Sequence, residues 1–166
     1  MHIAPDDFLY FINRALDGMV RIVDELGDMR VNLRPDFPGA NSPYAILYHC
    51  VGCTNYWLGA LLAGRQVTRD RHAEFQAQGT VADIRRAVHD LQQQLQEDIM
   101  HVHGDQPLTY PDALLPRHVQ WGVQHWRQGK ALVHAYEELS QHYGQMEITR
   151  DIIVQQNALP HARTPG

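Results

Sequence analysis

Four stretches of this chain carry apolar residues at the three- and four-residue spacing of a helix face, and segments rich in proline, glycine or charge separate them. In the first, Phe8, Leu9, Phe11, Ile12, Ala15, Leu16, Met19, Val20, Ile22 and Val23 recur from Asp7 until Gly27. The second opens at Ser42-Pro43, a serine able to cap free amides followed by a proline pre-set for the first turn, and runs to about Gly64. The third starts at Thr80 and Asp83, a capping arrangement, and carries Ile84, Ala87, Val88, Leu91, Leu95 and Ile99 to an end near His101. The fourth begins at about Val119 or Trp126 and continues through Val154. Gly129 and Gly144 each cost it about 1 kcal/mol relative to alanine.

The connections are read as loops: residues 30–41 with Pro35, Pro38 and Gly39, a charged surface connection over residues 65–79, and an irregular crossing over residues 104–117 with a short strand expected at 108–110. The pattern predicts an all-α four-helix bundle with long connections, a fold whose core is a usual place for metal sites. Residues 1–156 are expected to form that bundle and residues 157–166 a flexible tail. A chain of 166 residues with 44% hydrophobic and 20% charged residues can bury its own core. Its net charge of -5 and lack of a dense Lys/Arg run argue against nucleic acid or an anionic membrane as partner. No run reaches the roughly 18 apolar residues of a membrane span, and residues 1–7 lack a leader's basic and apolar regions. A cytoplasmic location is therefore expected.

Glu138 and His142, four residues apart in the fourth segment, rise from one helix face and can reach one ion. His49, seven residues after the Ser42 cap, can approach from across the bundle. Two imidazoles and a carboxylate suit zinc, with nickel or iron less specific alternatives, and leave a position open. Spacing alone also allows a solvated Glu138 and an ordinary packed His142, since the chain has 11 histidines. His134, one turn before Glu138, is either an outer partner of the ligands or packing. Cys50 and Cys53 lie three residues apart inside a helix without a βαβ context, so buried structural thiols are favoured over a redox pair. Trp57, Trp121 and Trp126 are expected in the core or a pocket wall, Arg150 and Asp151 as a structural pair, and His101 with His103 as a solvated helix end.

Three segments carry a resemblance: Ala45-Ile46-Leu47-Tyr48-His49 with Tyr56-Trp57, Thr68-Arg69-Asp70-Arg71 with Glu74-Phe75, and the stretch from His134 to Gln145 followed by Thr149-Arg150-Asp151. With the order of the helices, they make residues 8–155 similar to the DinB-like superfamily. The closest likeness is to its branch of mycothiol-dependent maleylpyruvate isomerase and related thiol transferases. The resemblance implies a divalent-metal site formed by His49, Glu138 and His142. Gln145 stands outside that triad, where many relatives carry histidine. It further implies a homodimer and a low-molecular-weight thiol that the metal activates to attack an electrophilic substrate, in S-transfer or isomerisation. Metal-dependent hydrolysis and a non-catalytic, stress-related metal-binding dimer remain alternatives. A basic pocket beside the triad, with Arg69, Arg71, Arg117 and Arg127 as candidates, would favour an anionic thiol.

Overall fold

The computed structural model describes residues 3–110, 112 and 114–158. Helix α1 spans Pro5–Arg30, with Leu9, Ile12, Leu16, Met19 and Val23 on its buried face. The stop expected at Gly27 is a kink, where φ of 64° interrupts the helix before one more turn to Arg30. Glycine takes that positive φ without a Cβ clash.

Helix α2, Pro43–Thr54, starts as expected: Ser42 Oγ accepts from the Ala45 amide and Pro43 fills the first turn. Its continuation over Asn55–Leu62 is π-helical and almost wholly buried, because Trp57, Leu58, Ala60, Leu61 and Leu62 are apolar around the whole circumference. Gly64, at φ 76°, then reverses the chain. Arg65 grips the buried Asp98 with two hydrogen bonds of 2.7 Å.

Residues 65–79 differ from the expected surface connection. A short helix α3, Arg71–Glu74, is capped by the Asp70 side chain, and it carries Glu74 inward against α2. Gly52 makes the approach possible, since a Cβ there would collide with the Glu74 carboxylate. Helix α4, Val81–Asp98, has the predicted Thr80–Asp83 capping box and passes into a 3-10 turn at Ile99–His101.

No strand forms among the described residues. The one expected at 108–110 is replaced by an isolated bridge between Pro107 and Arg127, while Leu108 packs in the core and the Thr109 amide donates to Leu61 O at 2.9 Å. Helix α5, Pro116–Gln120, and a 3-10 turn at Val123–His125 precede α6, Gln128–Ala158. The last helix thus starts later than either expected position, because Gly122 at φ 73° and extended Trp126 break the path. It runs to Ala158, and residues 159–166 of the expected tail lie outside the described residues.

Helices α1, α2, α4 and α6 pack around one cluster of buried apolar side chains, giving the all-α bundle. None of the described helices is long and apolar enough to cross a membrane.

Candidate metal centre

Two pairs of polar side chains meet where α2 faces α6. Each pair is spaced by four residues: His49 and Cys53 on α2, Glu138 and His142 on α6. Ligand atoms of His49, Cys53 and Glu138 lie within 4.8 Å of one another, with Cys53 Sγ 3.9 Å from Glu138 Oε2. The His142 ring meets His49 edge-on, at 4.8 Å between centroids. Of the three residues singled out in the sequence, His49 and Glu138 share this cluster with Cys53, while His142 stands beside it with its ring against His49 and its Nδ1 bonded to Gln145.

His49 is held by Glu74 and Phe75 and is buried. Its Nδ1–H donates to Glu74 Oε2 at 2.7 Å, Phe75 stacks on the ring at 4.3 Å, and the side chain is only 1% exposed. Arg69 completes the support by donating through Nε (2.8 Å) and Nη2 (3.1 Å) to Glu74. With the Nδ1 proton committed, Nε2 carries the lone pair, and it is buried without a hydrogen-bond partner. His142 resolves the same way, since its Nδ1–H donates to Gln145 Oε1 at 2.8 Å. His134 sits 4.0 Å from Glu138 Oε1 and edge-on to Trp57 at 4.6 Å.

The electrostatics follow from burial and these bonds. Burial pushes the His49 pKa down and outweighs the Glu74 bond, so the imidazole is neutral. Burial alone would raise Glu74, but the bonds from His49 and Arg69 together hold it below its usual value. Burial raises the Cys53 thiol to about 11, opposed by Arg69 and aided by Glu138. Cys50 is driven well above the usual thiol value by burial. Both cysteines are free and buried.

A lone-pair imidazole nitrogen with no proton donor, beside a carboxylate and a thiol, fits a divalent cation. Without one, the buried Nε2 forfeits a hydrogen bond.

A model of the mycothiol-S-transferases matches residues 7–155. The chain belongs to the mycothiol-S-transferase family. No curated protein and no solved structure gives a match.

In this mycothiol-S-transferase family member, the basic residues separate into two groups. Arg117 interacts electrostatically with Arg69, Arg71, Cys53 and Glu138, and burial followed by Arg71 and Arg69 lowers its pKa. Arg127, by contrast, is tied to the Asp105 carbonyl. Arg117 also donates Nε–H to His118 Nε2 at 3.1 Å, which leaves the His118 Nδ1–H to donate to Tyr56 Oη at 3.0 Å. Trp57 and Trp126 stack at 5.9 Å beside His134 and form an apolar wall.

Three residues escaped the sequence reading as parts of a site. Cys53 had a readable signal, because His49 and Cys53 repeat the four-residue spacing of Glu138 and His142. Glu74 stood only as part of the Glu74-Phe75 motif in a connection read as surface, since only the inward turn of α3 separates it from a surface carboxylate. His118 likewise lies in a segment without periodicity.

Proposed function

We propose that the protein is a divalent-metal-dependent thiol transferase, with mycothiol as the thiol to test first and S-transfer or isomerisation of an electrophile as the reaction. His49, Glu138 and His142 would hold the metal, with zinc the best match to the nitrogen and oxygen donors and nickel or iron next. When bound, such an ion supplies a Lewis acid that lowers the pKa of an incoming thiol toward neutrality.

The protein's own residues prepare that chemistry. Glu74 fixes the His49 tautomer so that Nε2 keeps its lone pair, and Gln145 does the same for His142. His134 lies close enough to Glu138 to orient its carboxylate. Trp57 and Trp126 exclude water on one side. Arg71 and Arg117 would supply positive charge for an anionic group of the reactants.

The observation that carries this reading is the buried His49 Nε2, a lone pair aimed among other donors with no proton to accept. Elemental analysis of protein purified without a histidine tag or chelator tests it. Near-stoichiometric metal in wild type, lost in both His49→Ala and His142→Ala, supports the site and justifies assaying mycothiol with electrophiles. A wild type that stays metal-free after reconstitution refutes it and leaves a non-catalytic bundle.

A further inference from the structure

Two buried polar atoms near the site lack hydrogen-bond partners, His49 Nε2 and Arg69 Nη1. They have opposite needs, since the first is a lone pair that wants a Lewis acid or a proton and the second is a donor that wants an acceptor. Both side chains are at least nine-tenths buried, at 1% and 3% exposure, so water is a poor substitute. Cys53 lies between these needs: its Sγ belongs to the same donor cluster as His49 and Glu138, and Arg69 interacts with it directly.

We propose that Cys53 is a fourth ligand of the metal and binds as its thiolate. This rests on the metal-site reading above and deepens it. A cation would take the His49 lone pair, and the thiolate would give Arg69 Nη1 a negatively charged acceptor. One bound species thereby satisfies both orphaned atoms, which a His49–Glu138–His142 triad alone does not do. On binding, the S–H bond of Cys53 breaks, the sulfur–metal bond forms and the proton passes to solvent, with no change of oxidation state.

The helix geometry supports the assignment. His49 and Cys53 present donors from successive turns of α2 toward Glu138 of α6, and His142, one turn further along α6, lies against the His49 ring. Cys50 is excluded by its absence from the cluster, although it is equally buried. A mixed sulfur, nitrogen and oxygen set holds zinc more selectively than a nitrogen and oxygen set, because thiolate is the softer ligand. Four protein donors also close the site of the resting protein. An exogenous thiol must then displace Cys53 or enlarge the coordination shell, and Cys53 acts as a guard against adventitious thiols.

Cobalt substitution reads the ligand directly. Metal-free protein, kept reduced with a phosphine so that no other thiol is present, is titrated with Co²⁺ as wild type, Cys53→Ser, Cys53→Ala and Cys50→Ser. A thiolate–cobalt charge-transfer band in the near ultraviolet is expected in wild type and Cys50→Ser. It should vanish in both Cys53 variants, while the weaker visible bands of bound cobalt remain. Cobalt affinity should fall at least about tenfold in the Cys53 variants, the lower bound for losing even an outer partner of a metal site. Visible bands in wild type without the charge-transfer band overturn the proposal and leave the metal site standing. A band that survives in Cys53→Ser and disappears in Cys50→Ser overturns it in favour of the other cysteine. No cobalt spectrum at all removes the metal-site reading and this proposal with it. Wild type and Cys50→Ser decide the matter even if the Cys53 variants misfold.

Discussion

Glu74 has two neighbours that need its charge, His49 through one bond and Arg69 through two. Glu74→Gln keeps an oxygen for the His49 Nδ1–H but leaves Arg69 buried without a counter-charge. Removing one partner of a buried ion pair typically costs about 3–5 kcal/mol, and losing an outer carboxylate costs about 10–100-fold in metal affinity. Both losses are expected, the first by denaturant unfolding and the second by competition with a chelator. An unchanged affinity would mean that Glu74 supports only the fold. His118 makes a separate, acid-dependent contribution. Burial, then Arg117 and Arg69, lowers its pKa to about 4, whereas an unfolded chain protonates histidine near about 6.5. Between those values the unfolded chain binds a proton that the native one does not, so this stabilisation is full above the upper value and lost as pH falls toward the lower one. The slope is at most about 1.4 kcal/mol per pH unit. Melting temperatures from pH 6.5 to 5 should therefore decline less steeply in His118→Gln than in wild type, and equal slopes would refute the assignment.

At the level of elements, the same substitution in two helices should act with opposite signs. Gly52 lies in α2 against α3, and a Cβ there meets the Glu74 carboxylate. Gly144 lies inside α6 with open space where its Cβ would stand. Gly52→Ala should destabilise by about 1–3 kcal/mol through overpacking and weaken metal binding by displacing Glu74. Gly144→Ala should stabilise by about 0.4–1 kcal/mol, because alanine loses less backbone entropy in a helix. Chemical denaturation measures both, and a stabilised Gly52→Ala would show that α3 does not need its close approach. The π-helical run at Asn55–Leu62 serves the neighbouring contact, since Gly59 leaves room for the Arg65 guanidinium that anchors Asp98.

For the whole molecule, the buried core is a continuous cluster contributed by all four long helices, with Cys53 inside it and His49 buried as well. The fold should not depend on the ion as a zinc finger does. After chelation the far-ultraviolet circular dichroism should remain helical. A ligand at about 100 times its dissociation constant adds about 2.7 kcal/mol, so restoring it should raise Tm by about 5–10 °C for a chain of this size. Collapse of the helical signal on chelation would make the metal a structural requirement.

The sequence by itself determined the four helices, because apolar spacing, the Ser42-Pro43 start and the Thr80–Asp83 box act within a few residues of where they are written. It also marked His49, Glu138 and His142, whose spacing and surrounding motif are local. The boundaries that failed, at 108–110 and at the start of α6, belong to segments pinned by distant groups: Leu61 O holds Thr109, and the Gln128 side chain accepts from the His103 amide and donates to Pro107 O. Tertiary structure alone decided that Glu74 and Arg69 turn inward, that Cys53 meets Glu138 and that His118 is buried against Arg117. Burial and the pairing of charges across elements depend on how separate helices pack. No periodicity along one chain segment encodes which carboxylate a histidine on another helix will find.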